Sequence, residues 1–186
     1  MIPATLPRPR ARHRRQQGAS LLELAIVIIL FSLMLLVAID RLLPLRGQAE
    51  AAAVLSSQGN MQARLGGEVA QRVIRDGLPA VLALEGSNPM ALIETPPPTY
   101  RGAFARIDLN ELQPGDWAFD RSRGVLVYRV QYAQYFDGEP SDPPRAEWRI
   151  ELHFAEGTGR EPEALREVLL VPLGKPSWRL QSGDNP

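Results

Sequence analysis

The sequence predicts an α+β fold in which a long N-terminal helix, half apolar and half amphipathic, packs on a small antiparallel β-sheet. Three observations predict it. Residues 19–39 hold one ionisable side chain, Glu23, in 21 positions. Residues 46–76 repeat apolar side chains at three-to-four spacing. Near the C-terminus, Trp148, Ile150, Leu152 and Phe154 alternate with Arg149, Glu151 and His153, the period of a half-buried strand.

In chain order, residues 1–18 carry Arg8, Arg10, Arg12, Arg14 and Arg15 with no acidic residue, and Pro3, Pro7 and Pro9 break any periodicity, so a disordered basic leader is expected. The apolar run that follows rises about 1.5 Å per residue as a helix, which makes it as long as a bilayer core is thick. Residues 19–43 are therefore read as a transmembrane helix. The basic arm keeps the N-terminus in the cytoplasm and sends everything beyond Asp40 across the membrane. A cleavable secretory signal would have a shorter core followed by small residues, whereas Gly18, Ala19 and Ser20 stand in front of this one.

Pro44 removes an amide donor and breaks or kinks the helix. An amphipathic helix over residues 44–77 is expected beyond it, with Leu55, Met61 or Ala63, Leu65, Val69 and Val73 on its apolar stripe and Gly77 as its stop. Gly59, Gly66 and Gly67 weaken it by about 1 kcal/mol each relative to alanine, so tertiary contacts must hold it. Residues 78–180 are read as a globular head and residues 181–186 as a flexible tail. In the head, residues 78–84 suit a short helix, and the prolines at 96–98 a stiff connector.

Strand signals follow. Trp117–Phe119 leads through Asp120-Arg121-Ser122-Arg123-Gly124, a turn ending in glycine, into a strand over residues 125–136 with Leu126, Tyr128, Val130, Tyr132 and Phe136 on one face. A strand over residues 148–154 and a shorter one over residues 167–171, ended by Pro172, complete a three- or four-stranded antiparallel meander, with links rich in Gly and Pro at residues 137–144 and 157–162.

Composition bounds the chemistry. Cysteine is absent, which excludes disulfides and thiolate metal sites. Taking the five leader arginines from 21 basic residues leaves 16 against 21 acidic ones, a net charge of −5, and such a head has no electrostatic footprint for nucleic acid. His13 falls in the leader and His153 on an outward strand position. No phosphate loop, metal-ligand cluster or nucleophile elbow occurs, so neither an enzyme nor a cofactor is expected. Asp137, Glu139 and Asp142 share one loop, but their spacing is not that of an EF-hand, and a solvated acidic loop is expected.

Glu23 requires explanation, because a carboxylate at the bilayer centre costs about 2.5–3.5 kcal/mol and less near an edge. Ser20-Leu21-Leu22-Glu23 fits a capping box. Glu23 also lies about 6 Å along a helix from Ala19. A free amine there, with an ordinary pKa of about 7.7–8.0, makes a suitable counter-charge when a second helix stacks with an axial offset.

The basic leader ending in Gly18, the sequence Ala19-Ser20-Leu21-Leu22-Glu23 and the unbroken apolar helix together resemble the class III signal of type IV pilins and of the pseudopilins of type II secretion systems. The resemblance covers residues 14–45, with Ala19 where the family usually has Phe. It implies a pilin-like fold and a non-enzymatic subunit. A prepilin peptidase would cut between Gly18 and Ala19 and methylate the amine of Ala19, and Glu23 would register subunits. Its partners would be other pilin or pseudopilin subunits, an assembly platform protein and its ATPase. The protein would sit in the inner membrane with a periplasmic head and enter a pilus or pseudopilus filament. The lack of a disulfide points to a minor pilin or pseudopilin. The alternative is a monomeric, signal-anchored periplasmic binding or sensor module, for which the apolar helix is only a tether.

Overall fold

The structure, a computed structural model, describes residues 20–155 and 165–179. The leader, the cleavage and methylation positions Gly18 and Ala19, the link at 157–162 and the tail at 181–186 lie outside the described residues. Two units are distinguished, one ending at Arg41 and one beginning at Leu42.

The first unit is built on helix α1, Leu21–Leu42, whose residues are almost all exposed. The second contains α2 (Leu45–Asp76), the short α3 (Leu78–Leu82) and five strands: β1 (Tyr100–Phe104), β2 (Trp117–Asp120), β3 (Val125–Arg129), β4 (Arg145–Phe154) and β5 (Leu165–Leu173). The strands lie in sequence order in one sheet. All neighbours are antiparallel except β1 and β2, which run parallel. An apolar helix followed by an amphipathic helix packed on a mostly antiparallel sheet is a pilin-like α+β architecture.

Helix α2 stops where expected. Gly77 adopts φ 78°, and its N–H closes on the carbonyl of Arg72. The core stripe holds the expected Met61 and Leu65, with Val69 packed against it, but differs elsewhere: α2 also buries Gly47, Glu50, Ala51 and Val54. Leu55 and Val73 are 63% and 50% exposed, and Ala63 also faces solvent. Leu55 is one residue, about 100° of rotation, from the buried Val54. The stripe begins on a glycine and a glutamate that an apolar template passes over. Opposite α2, Trp117, Phe119, Leu126, Tyr128, Trp148 and Ile150 complete the core. Within it, the Trp117 ring lies 4.7 Å from that of Tyr128 and 5.2 Å from that of Trp148.

The sheet has five strands and is mixed, which corrects the expected antiparallel meander of three or four. The added strand, β1, is too short and too polar in pattern to be read from the sequence. Residues 105–116 return from β1 to β2 across the face turned away from α2. Leu112 is buried there, and the Arg129 guanidinium donates to the carbonyls of Leu109 and Leu112. This cover explains why β2 and β3 are buried along both faces, with Ala118, Val125 and Val127 at most 1% exposed.

Two strand ends also differ from expectation. β3 stops at Arg129 and does not reach residue 136, because residues 133–135 form a 3-10 turn and Phe136 pairs with Trp178. Pro172 does not end β5 but pairs with Trp148 inside it. β5 is the outer strand of the sheet, where a missing N–H deprives no neighbour.

The β2–β3 turn is fixed by Gly124 at φ 61°, where an added Cβ would lie 2.9 Å from the carbonyl oxygen of Gly86. Gly47 is more restrictive. A Cβ there would meet the Cβ and Cγ of Tyr135 at 2.6 and 2.7 Å, atoms too close to the backbone to swing aside. Gly47→Ala is therefore expected to destabilise the second unit by about 1–3 kcal/mol despite alanine's higher helix propensity. Urea unfolding of the full chain in detergent measures this, and adding Tyr135→Ala should recover part of the loss.

Candidate functional site

The first candidate surface is α1 itself. Its 22 residues extend about 33 Å as a helix, and its most apolar stretch has a mean hydropathy of 3.0 with none of it buried. Leu21, Leu22 and Phe31 are 87%, 71% and 66% exposed. In water such a surface is strongly unfavourable, while in hydrocarbon it is at home, so one helix here is apolar and long enough for a single membrane span.

Glu23 sits in the first turn of α1 and is exposed. Ser20 Oγ accepts from the Glu23 backbone N–H at 3.2 Å, and the Ser20 carbonyl accepts from Leu24 N–H at 3.0 Å. The cap thus uses the serine side chain and the glutamate backbone.

The second candidate is the anchor between α2 and the sheet. Glu50, 6% exposed, accepts from the Tyr128 hydroxyl at 2.9 Å and the Gln131 N–H at 2.6 Å through Oε1, and from the Tyr132 N–H at 3.1 Å through Oε2. Burial, followed by the neighbouring carboxylate, pushes the Tyr128 phenol above its ordinary value, so it stays protonated and donates. The carboxylate thus takes up the amides freed where β3 ends and holds residues 130–132 against the first turns of α2. The close approach of Tyr135 to Gly47 follows directly after. Sequence reading passed over both residues; the one signal for them was a charge and a glycine at positions 47, 50, 51 and 54, which share one helical face.

Two further carboxylates organise the outer face. Asp120 accepts from Ser122 Oγ at 2.7 Å and from the N–H groups of Ser122, Arg123 and Ile107, tying the β2–β3 turn to the 105–116 segment. Glu147 takes both Arg123 guanidinium nitrogens at 2.9 and 2.6 Å and Arg145 Nε at 2.8 Å. Burial acts to raise both carboxyls, but the hydrogen bonds outweigh it and hold each below its ordinary value. His153 is exposed, 3.9 Å from Glu151. Asp137 and Glu139 are exposed and Asp142 lies in the same loop. Among the described residues no three His, Cys, Asp or Glu side chains gather as a metal would need.

Two outcomes are expected. Glu50→Ala leaves three donors without an acceptor and should cost about 3 kcal/mol in urea unfolding, while Glu50→Gln, which keeps one carbonyl oxygen, should fall between it and the parent. Asp120 and Glu147 titrate lower folded than unfolded, so between those values the unfolded chain binds more protons. Their contribution is complete above the ordinary values of 3.8 and 4.5 and is lost as pH falls below them. Unfolding midpoints should drop on acidification, and Glu147→Gln should flatten that fall. No family model, curated protein or solved structure matches the chain.

Proposed function

We propose that this chain is a minor pilin or pseudopilin: a subunit held in the inner membrane by α1, cut between Gly18 and Ala19 by a prepilin peptidase, methylated on Ala19 and added to a pilus or pseudopilus filament. The observation that carries the reading is a bare apolar helix with one carboxylate in its first turn, followed by a pilin-like α+β head. The membrane is then a reservoir, from which the platform protein and its ATPase withdraw subunits. Helices leaving lipid exchange acyl contacts for contacts with one another, and Glu23 receives the Ala19 amine of an adjacent subunit.

The local geometry supports giving Glu23 this task. Glu23 stands in the first turn of α1, where Ser20 Oγ caps its backbone N–H and its side chain is exposed. A charge exposed on an apolar helix is best explained by a partner.

Mass spectrometry of the protein from cells with an active prepilin peptidase should show a mature N-terminus at Ala19, one methyl group heavier. An intact Met1 there would favour a tethered sensor or binding module. Glu23→Gln should insert in the membrane and be cut normally but enter filaments poorly; wild-type incorporation of this variant would remove charge pairing from the account.

A further inference from the structure

β5 forms one edge of the sheet, and its sequence makes that edge hazardous. Its charges, Arg166 and Glu167, lie at its start; residues 168–173, Val-Leu-Leu-Val-Pro-Leu, carry none. An uncharged apolar edge strand is a template for pairing with another chain. The opposite edge, β1, is only five residues long and is interrupted by Gly102 at φ 107°, where its register with β2 shifts. A bulge of that kind blunts an edge. β5 is nine residues long, and its one shift falls at the far end, near Phe154.

The main-chain groups that face outward on β5 are identified by their partner. Gln62, from the middle of α2, donates through Nε2 to the Val168 carbonyl at 3.3 Å and accepts through Oε1 from the Leu170 N–H at 2.7 Å. Ladder groups alternate along an antiparallel strand, so residues 168, 170 and 172 turn theirs away from β4. Pro172 has no N–H to offer. A carbonyl at one residue and an N–H two residues on are also the pair that a single residue of an added parallel strand would engage. The Gln62 amide therefore takes the place of one residue of a sixth strand.

We propose that Gln62 is an edge guard: its amide occupies the main-chain groups at the centre of β5 and prevents a second copy of this chain from pairing with that edge. The competitor is a second copy because an antiparallel β5–β5 contact is satisfied by a twofold axis, each strand offering the other the same free groups and the same uncharged side chains. Confinement to a membrane by α1 raises the local concentration of copies. The role does not depend on whether the chain enters a filament, since the guard is needed wherever folded copies meet.

The absence of cysteine makes the test direct. Leu169→Cys or Val171→Cys, introduced singly into the full chain, places a thiol on β5 on the face turned from α2, and directly opposed residues of paired strands are close enough for a disulfide. Each is combined with Gln62, Gln62→Met, which preserves bulk and helix propensity, or Gln62→Glu, which keeps the acceptor and adds charge. Membranes are oxidised and dimers counted on non-reducing gels. Gln62→Met, which loses both hydrogen bonds to β5, should raise the dimer by about tenfold or more over the background level to which the parent and Gln62→Glu are held.

Equal dimer in the parent and Gln62→Met overturns the proposal, as does a monomeric Gln62→Met whose head resists trypsin like the parent. Loss of trypsin resistance in Gln62→Met also overturns it, since Gln62 would then serve folding and not guarding. A control thiol on the β2–β3 turn, Arg121→Cys, should not cross-link; dimers there as abundant as at β5 would mean unspecific clustering and would likewise reject the guard.

Discussion

The head depends on one buried carboxylate. Where β3 ends, two successive N–H groups leave the ladder, and a tyrosine hydroxyl lies beside them in the core; Glu50 accepts from all three. Burying a charge is costly unless hydrogen bonds replace water, and here they come from main-chain amides that would otherwise be stranded themselves. The arrangement fixes the rotation of α2, because the turn that presents Glu50 also presents Gly47 to Tyr135 and Ala51 and Val54 to the core. Further along, Met61 and Leu65 join the core that holds the aromatic residues of the sheet, and Gln62, between them, reaches β5. One helix thus meets the sheet by a carboxylate near its start, by apolar side chains along its length and by an amide at its middle.

The legible parts of the sequence were those governed by period and by turn chemistry. The apolar helix, the helix after Pro44, its stop at Gly77, the β2–β3 turn and the alternation of β4 all follow from local rules, and the α+β class follows from them. What was not legible was set by distant partners. The Glu50 contacts span about eighty residues of sequence and the Gln62 contacts more than a hundred, and neither residue differs in type from a surface polar residue. β1 escaped because its five residues gain strand geometry only beside β2. The alternating pattern through Phe136 misled because Glu50, by accepting the amides of Gln131 and Tyr132, gives that backbone an alternative to the ladder.

The two faces of the sheet are protected by different means. One is closed by a helix, the other over β2 and β3 by an irregular segment held through Arg129 and Asp120. Irregular backbone can cover an apolar face only when its polar groups are engaged, and side chains from the sheet do this here. Asp120 therefore does more than shape a turn, and Arg129, on a strand position that pattern reading gives to solvent, is spent on carbonyls. Glu23 has the opposite character, since the serine that caps it stands three residues before it in the chain.

The aromatic residues are unequally shared between the two units. Trp117, Trp148 and Trp178, and all four tyrosines, belong to the second unit, while α1 has only Phe31. Intrinsic emission excited at the red edge of indole absorption therefore originates wholly outside the apolar helix. The optical signal therefore reports on the folded state of the second unit.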